Sequence, residues 1–336
     1  MRYIGNKKKL LEFIESTIKE FEPDLEDKVF CDLFSGTATV AKHFKSKCAK
    51  IISNDYEQYS FVLQRNYIGN CEDEGFSDLI ERYDKVAGIH GPLTETLSPA
   101  GKEGRMFFTE YNAKKIDAIR EKLEKEKTSG VINDNQYYFL LCSLLESADS
   151  YSNTTGVYGA FLKKFNSRSS DKFILKAHQP EFCKTESKSL KGDSNVIIKS
   201  ISGDILYLDP PYNNRQYSSN YHVLNYICDP DSIDIKVNKQ NQESKTALGI
   251  YNISKYSRKA EALKTFEELI SNSSFKKVFI SYNDEGIMSL EEVKNVLEKH
   301  GTYHLRTKEH KRYKSNKETA NKKVTEYIHI LIKEEQ

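Results

Sequence analysis

Short apolar runs alternate along much of the chain with stretches in which apolar residues recur every three or four positions. The short runs are rich in strand-forming residues and typical of buried strands, whereas the periodic stretches are typical of helices with one buried face. Strands are predicted at 29–34, 50–53, 204–208, 277–282, 303–307 and 324–333, and helices at 10–18, 38–44, 258–271 and 289–300. This alternation predicts an α/β fold with a mostly parallel sheet that ends in an antiparallel hairpin near residues 303 to 333.

The middle of the chain departs from this alternation. From about residue 60 to 190 the pattern is helical and irregular, with helices predicted at 105–123 and 135–150. We therefore predict a mainly helical insertion over residues 68–190 between two parts of one α/β domain, residues 1–67 and 191–336.

A loop in the insertion mixes aromatic and basic residues. Its candidate contacts are Tyr158, Lys163, Lys164 and Arg168, in a segment that also contains Asn, Ser and Gly. Such a mixture suits phosphates and unstacked bases. A solvated insert with incidental tyrosines is the alternative for this loop taken by itself.

The overall composition of the 336 residues excludes several classes of protein. Charged residues make up 30% but the net charge is only +2, so a polyanionic partner would need a local basic patch. The six cysteines form no CxxC pair, which favours reduced thiols and predicts no metal site. Without an apolar run of membrane length or a signal-like N-terminus, the sequence predicts a cytoplasmic protein that does not contact membranes.

The first strand leads into a glycine turn. Ser35, Gly36 and Thr37 follow the strand, a helix begins near Ala38, and the second strand ends at Asp55, nineteen residues after Gly36. An acid at this distance accepts ribose hydroxyls in nucleotide-binding α/β sheets. Because Ala38 stands where a second glycine would admit a pyrophosphate, the turn favours a cofactor without one. An ordinary strand, turn and helix is the alternative.

The tetrapeptide Asp209-Pro210-Pro211-Tyr212 follows the apolar run 204–208. The two prolines end the strand and fix the direction in which the backbone leaves it. The Asp209 carboxylate and the Pro210 carbonyl can each accept one hydrogen of an exocyclic amine, while Tyr212 stacks on the attached ring. This pattern predicts a site that makes an aromatic amine a better nucleophile. A proline-rigidified turn is the structural alternative.

In their order along the chain these segments resemble the Dam-like alpha group of DNA adenine-N6 methyltransferases, in particular those of restriction-modification systems. The resemblance covers nearly the whole chain. It rests on the N-terminal loop RYIGNK, the turn DLFSG at 32–36, the acid at 55, the insertion and the DPPY segment with its tail YNNRQYSSNYHVL. Ala38 departs from this family, in which many members have glycine.

The resemblance implies a Rossmann-like methyltransferase sheet, S-adenosylmethionine as cofactor and double-stranded DNA as substrate, with a cognate restriction endonuclease as a possible partner. It also implies that residues 1–67 and 191–336 form the catalytic domain and that the insertion 68–190 is its target-recognition region. The implied catalytic residues are Asp209, Pro210, Pro211 and Tyr212. The predicted cofactor-binding residues are Tyr3, Lys7, Asp32, Phe34, Ser35, Gly36, Asp55, Asp193 and Asp209. The predicted DNA contacts are Tyr158, Lys163, Lys164, Arg168, Arg215, Tyr217, Tyr221, Arg312 and Lys314, of which the last two lie in a basic segment between the final strands.

Four alternatives stay open from the sequence. The same motif can serve cytosine N4, and an RNA adenine would offer the same amine. A nicotinamide-dependent oxidoreductase is disfavoured by the single glycine. A non-catalytic DNA-binding module is disfavoured by the presence of Asp209, Tyr212 and Asp55 together.

Overall fold

The computed structural model describes residues 1–232, 253–311 and 323–334. The contacts between Cα atoms divide them into two compact units. We call the first the helical unit; its described residues are Met1–Asn6, Glu57–Lys184 and 217–232. We call the second the sheet unit; its described residues are Lys7–Tyr56, Thr185–Gln216, 253–311 and 323–334. The helical unit thus includes most of the predicted insertion, together with the first six residues and a segment that follows the DPPY motif.

The sheet unit is built on seven strands. They are β1 Val29–Asp32, β2 Lys50–Asp55, β3 Glu186–Lys191, β4 Ile205–Leu208, β5 Lys277–Asn283, β6 Thr302–Lys311 and β7 Lys323–Ile332. Their spatial order is β3-β2-β1-β4-β5-β7-β6. The first five are parallel, and β7 is antiparallel to both β5 and β6. The predicted parallel sheet with an antiparallel C-terminal pair is therefore confirmed.

The register of the central strands sets the position of the site. Asp32, at the end of β1, is paired with Ser53 of β2 on one side and with Tyr207 of β4 on the other. The carboxyl ends of these strands therefore lie level along one edge of the sheet. Successive strands run outward from β1 to β3 and then resume with β4 on the opposite side of β1. The β1/β4 boundary is thus the topological switch point, where ligands bind in sheets of this kind.

Helices cover both faces of the sheet. They are α1 Leu11–Phe21, α2 Thr39–Phe44, α9 Ser194–Ile197, α11 Ala262–Asn272 and α12 Leu290–Glu298. On one face, Phe30 of β1 stacks on Phe44 of α2, with ring centroids 4.4 Å apart. On the other, Phe266 of α11 and Val293 of α12 belong to the same buried cluster as the strand residues. The central strands β1, β4 and β5 read as nearly continuous apolar runs because both of their faces are buried.

The helical unit contains no strand among its described residues. Its helices are α3 Gln58–Gln64, α4 Phe76–Asp84, α5 Pro92–Leu97, α6 Glu110–Thr128, α7 Asp134–Tyr151, α8 Ser167–Ser170 and α10 Tyr217–Cys228, and a π-helical turn spans Arg65–Gly69. The predicted helix at 105–123 begins only at Glu110, because the Thr109 side chain caps it by accepting a hydrogen bond from the Asn112 N–H. A capping box formed by Asn133 and Gln136 starts α7.

One buried side chain fixes the aromatic and basic loop of the helical unit. Asn153 donates two hydrogen bonds through Nδ2, to the carbonyls of Met106 and Leu162, and its Oδ1 accepts from the Ser169 hydroxyl. Its backbone also pairs with Phe107 and Leu162. This loop is therefore held from several sides by one amide side chain.

Among the described residues, no helix has both the length and the apolar composition needed to span a lipid bilayer.

Candidate active site

Four predicted acidic residues lie at the carboxyl edge of the sheet. Asp32 ends β1, Asp55 ends β2, Asp193 follows β3, and Asp209 follows β4. Asp193 is exposed and caps α9, because its side chain accepts a hydrogen bond from the Asn195 N–H. The parallel topology brings these carboxyl groups to one edge although more than 170 residues separate the first from the last. Asp32 and Asp209 flank the switch point itself.

The glycine turn is fastened to the end of β2. The Gly36 N–H donates to Oδ2 of Asp55 at 2.8 Å. Gly36 has φ +52°, a left-handed conformation that glycine adopts without steric cost. Ala38 has φ +57° and is the only described residue other than glycine with a positive φ. The alanine at this position therefore has a backbone conformation that glycine favours.

Asp32 supports the same turn from inside. Its Oδ2 accepts hydrogen bonds from the Ser35 hydroxyl and the Ala41 N–H, each at 3.1 Å. Its buried Oδ1 has no hydrogen-bond partner among the described residues. Burial raises the pKa of Asp32 to about 7, although the hydrogen bonds from Ser35 and Ala41 act in the opposite direction. Asp32 therefore carries a proton part of the time at neutral pH.

Lys7 forms the centre of a buried charged cluster with Asp209 and Glu326. Lys7 Nζ lies 3.1 Å from Asp209 Oδ1 and 3.6 Å from Glu326 Oε2. The side chain of Lys7 is 5% exposed, that of Glu326 is 9% exposed and that of Asp209 is 17% exposed. The more accessible carboxylate is thus the one that follows β4.

The pKa values of this cluster reflect burial and pairing. Burial raises the pKa of Asp209 to about 6, against the lowering effect of Lys7, and Glu326 raises it further. Burial opposes the charged form of Lys7, but the two carboxylates outweigh it and raise the Lys7 pKa above its ordinary value. Lys7 therefore stays charged at neutral pH and pairs with both carboxyl groups.

Tyr212 is held at the rim of this cluster. Its ring meets Tyr282 edge-on, with centroids 6.4 Å apart, and Lys7 Nζ lies 5.7 Å from its centroid. Its carbonyl accepts a hydrogen bond from the Ile287 N–H at 3.0 Å. Burial raises the pKa of Tyr212 to about 12, so its hydroxyl stays neutral. The Tyr212 ring is held by its neighbours but remains partly accessible, so another flat ring can stack on it.

Two residues that our sequence analysis did not select help to build this edge. Asn54 Nδ2 donates to the carbonyls of Leu33 and Gly192 and so joins the ends of three strands. Glu326 of β7 is buried between Val324 and Ile328 on the inward face of its strand. A charged residue in the apolar half of an alternating strand was the signal that could have identified Glu326.

Phe34 packs edge-on against Tyr256, with ring centroids 5.1 Å apart. Tyr256 in turn donates a hydrogen bond from its hydroxyl to Asn195 Oδ1. The aromatic side chain that follows β1 is therefore fixed by the loop before α11 and by α9.

In the helical unit, Tyr3 belongs to an aromatic stack. Its ring lies 4.7 Å from that of Tyr221 and 5.5 Å from that of Tyr217, measured between centroids. The Tyr3 and Tyr59 hydroxyl oxygens are 3.1 Å apart. Tyr221 also accepts a hydrogen bond from the Ile4 N–H at 2.8 Å. The stack thus fixes the N-terminal loop against α10.

The structure does not favour the predicted DNA contacts of Tyr158 and Tyr221. Both side chains are fully buried. Tyr158 donates its hydroxyl to Asp149 Oδ1, and Tyr221 supports the N-terminal loop at a non-helical position inside α10. The sequence pattern indicated tyrosines near basic residues, but it could not distinguish a ring that anchors a loop from one that the loop presents.

The other predicted DNA contacts differ in accessibility. Lys163, Lys164 and Arg168 are exposed on the loop that Asn153 fixes, and Arg215 is exposed in the sheet unit. Tyr217 is partly exposed. Arg312 and Lys314 lie outside the described residues.

A parallel sheet with carboxylates at the ends of its central strands defines an α/β protein with a ligand site at its switch point. The model of the D12 class N6 adenine-specific DNA methyltransferases matches residues 3–312. The chain belongs to this family and is an adenine-specific DNA methyltransferase. This finding confirms the predicted enzyme class and decides against the four alternatives.

Several characterised proteins are similar over nearly the whole chain. The type II methyltransferase M.NlaIII of Neisseria lactamica is 42% identical over 99% of both chains. The type II methyltransferase M.CviAII of Paramecium bursaria Chlorella virus 1 is 35% identical over 98% of this chain and 97% of its own length. The type II methyltransferase M.FokI of Planomicrobium okeanokoites is 36% identical, and the chain spans 53% of that protein.

The left-handed conformation of Ala38 predicts how this position responds to substitution. Ala38→Gly should leave the free energy of unfolding within about 1 kcal/mol of wild type, because the relief of strain is offset by greater freedom of the unfolded chain. Ala38→Val should lower it by roughly 2 kcal/mol or more, because a branched side chain is strained at positive φ and the site is fully buried. Urea denaturation measures both. Equal losses in the two variants would contradict a left-handed backbone at residue 38.

The raised pKa of Asp32 predicts a dependence of stability on pH. Because the folded protein holds this proton more tightly than the unfolded chain, stability should fall as the pH rises from about 4 toward 7. In Asp32→Asn the decrease in the free energy of unfolding between pH 5 and pH 8 should be smaller by on the order of 2 kcal/mol. Chemical denaturation at several pH values tests this, with Glu26→Gln at an exposed position as control. An unchanged decrease in Asp32→Asn would show that Asp32 has an ordinary pKa.

Proposed function

We propose that the methyl donor is S-adenosylmethionine and that the carboxyl edge of the sheet unit binds it. The observation that supports this is the chemistry of the turn after β1. It has a single glycine in a left-handed conformation, an Asp55 carboxylate at the end of β2 and a buried Asp32 oxygen that no described residue hydrogen-bonds. These groups suit a ribose-bearing cofactor without a pyrophosphate. When bound, S-adenosylmethionine supplies a methyl group on a positively charged sulfur.

Different residues of the chain bind different parts of this cofactor. Asp55 accepts the ribose hydroxyls, and the segment Asp32–Gly36, including Phe34 and Ser35, borders the methionine part. Tyr3 and Lys7 close over the cofactor, and Asp193 lies at the next strand end along the edge. These roles follow from the family resemblance of the motifs, and the positions of the sheet-unit residues at one edge are compatible with them.

The DPPY segment prepares the amine of adenine. Asp209 and the carbonyl of Pro210 accept its two hydrogens, while Tyr212 stacks on the base. These contacts draw the nitrogen lone pair out of conjugation and point it away from the protein acceptors. Methylation makes this nitrogen acidic, and Asp209, with a pKa of about 6, can then hold the proton that leaves. Asp209 is thus an acceptor that orients the amine, and no strong base is needed beforehand.

Inside a duplex the amine is stacked and paired, so the target base must leave the helix to reach the strand ends. Tyr212 then replaces part of the stacking that the base loses, worth roughly 1–3 kcal/mol per base. The partly accessible ring of Tyr212, braced by Tyr282, supports this role.

We further propose that residues 68–190 recognise the target sequence. Lys163, Lys164 and Arg168 would contact phosphates, and Arg215, Tyr217, Arg312 and Lys314 would complete the contacts with double-stranded DNA. The exposure of the first three on a fixed loop supports this assignment. Asn153 holds this loop in place before DNA arrives, which reduces the entropy lost on binding.

We assign the enzyme to the modification side of a restriction-modification system and to the Dam-like alpha group. The support is the similarity over full length to M.NlaIII and M.CviAII, both described as type II methyltransferases. A cognate restriction endonuclease with the same target sequence would be its functional partner.

The central test is the identity of the methylated nucleoside. Purified protein is incubated with radiolabelled S-adenosylmethionine and unmethylated genomic DNA, and the DNA is digested to nucleosides. We expect the label in N6-methyldeoxyadenosine. Asp209→Asn should lose this activity by about a thousandfold or more while its thermal unfolding shows a folded protein, because the group that orients the amine is lost. Turnover close to that of wild type in Asp209→Asn would refute the role of Asp209.

The basic loop predicts a dependence of DNA affinity on salt. In the triple variant Lys163→Ala/Lys164→Ala/Arg168→Ala, the slope of log affinity against log salt concentration should become shallower by roughly two to three, because each phosphate contact releases about one counterion. A double variant of two exposed lysines elsewhere in the helical unit, Lys85→Ala/Lys125→Ala, is the control. The same slope in the triple variant and wild type would remove this loop from the DNA interface.

A further inference from the structure

Glu326 lies in an unusual place for a glutamate. It belongs to β7, an inner strand paired on both sides, and its side chain is 9% exposed. The residues two positions away on the same face, Val324 and Ile328, are buried and apolar. A carboxylate in such surroundings has a high desolvation cost unless it is paired. Its partner here is Lys7, which also pairs with Asp209.

The geometry of Lys7 distinguishes its two partners. Its Nζ is 3.1 Å from Asp209 and 3.6 Å from Glu326, so a single ammonium group serves two carboxylates from different strands. If Asp209 were the only partner, Lys7 and Asp209 would form a neutral pair, and the ammonium would compete directly with the substrate amine for the carboxylate. Sharing Lys7 with Glu326 weakens that competition.

We infer that Glu326 is a positioning residue for methyl transfer, which holds Lys7 between two strands so that Asp209 keeps the capacity to accept a hydrogen from the adenine amine. The inference rests on the proposed role of Asp209 in the reaction. It adds a function for a residue that lies outside the DPPY segment and the cofactor turn. Glu326 acts through Lys7 and need not touch the substrate.

The charges around Asp209 fix the sign of the expected effect. Several titratable groups lie close enough to act electrostatically on Asp209 or on its neighbours Lys7 and Tyr212. Besides these three residues themselves, they are Glu326 from β7, Tyr207 from β4, Glu285 from the loop after β5 and Asp32 from β1. Lys7 lowers the pKa of Asp209 and Glu326 raises it. Removal of the Glu326 charge therefore lowers this pKa and leaves Lys7 with Asp209 alone.

The test is Glu326→Gln, which keeps the shape of the side chain and removes its charge. We expect the acid limb of the pH profile of kcat, near pH 6 in wild type if Asp209 sets it, to move to lower pH by on the order of half to one unit. At pH 8 kcat should fall by roughly tenfold, with KM for DNA within about twofold of wild type. The reason is that Lys7 then pairs with the Asp209 carboxylate alone and competes more strongly with the adenine amine for it. A merely structural role would lower the melting temperature without moving the acid limb.

A second measurement does not depend on turnover. The carboxyl carbon of Asp209 can be followed by NMR in ligand-free protein with ¹³C-labelled aspartate, and its signal is assigned by its loss in Asp209→Asn. Its apparent pKa should be lower in Glu326→Gln than in wild type. An unchanged apparent pKa together with an unchanged acid limb would overturn the inference.

Two controls separate this inference from the proposed function. Glu309→Gln removes an exposed carboxylate on β6, in the register pair next to that of Glu326, and should leave the acid limb in place. If Asp209→Asn stays active, the role of Asp209 itself fails. If Asp209→Asn is inactive and Glu326→Gln behaves like Glu309→Gln, only the role of Glu326 fails.

Discussion

The burial of one ammonium group between two carboxylates is the constraint on which the site of this methyltransferase depends. Lys7, Asp209 and Glu326 are each costly to remove from water, and their mutual pairing offsets part of that cost. Their pairing ties the turn before α1 to the end of β4 and to the inner strand β7. The same cluster leaves Asp209 ionised in a place where burial alone would favour its neutral form.

The parallel sheet supplies the second constraint. Because β1, β2 and β4 end level, the carboxyl groups that follow them meet at one edge, and the switch point between β1 and β4 opens the space beside them. The bond from Gly36 to Asp55 and the bonds to Asp32 hold the turn at this edge in one conformation. The cofactor contacts and the amine contacts that we propose thus have separate supports, the former at β1 and β2 and the latter at β4 and β7.

Much of this arrangement could be predicted from the sequence because its signals are local. Two prolines after an apolar run end a strand wherever they occur, and a glycine turn followed by an acid at the next strand end is a pattern within one βαβ unit. Glu326 could not be placed in the same way, since its partner is 319 positions away and only strand pairing brings them together. The burial of Tyr158 and Tyr221 could not be predicted for a related reason. An aromatic residue beside lysines looks the same in sequence whether it faces solvent or the interior. The left-handed backbone of Ala38 could not be predicted either, because alanine, unlike glycine, does not indicate a positive φ.

The position of β7 between β5 and β6 has a consequence for how the enzyme is made. A ribosome delivers β5 and β6 before β7, so the growing chain holds a sheet whose inner strand is still missing and whose β5 edge is open to wrong partners. The insertion of β7 closes that edge and carries Glu326 to Lys7 in the same event. Since contacts between such distant residues form late, completion of the sheet and assembly of the charged cluster coincide. A nascent chain is therefore expected to remain inactive on DNA until its last strand is in place.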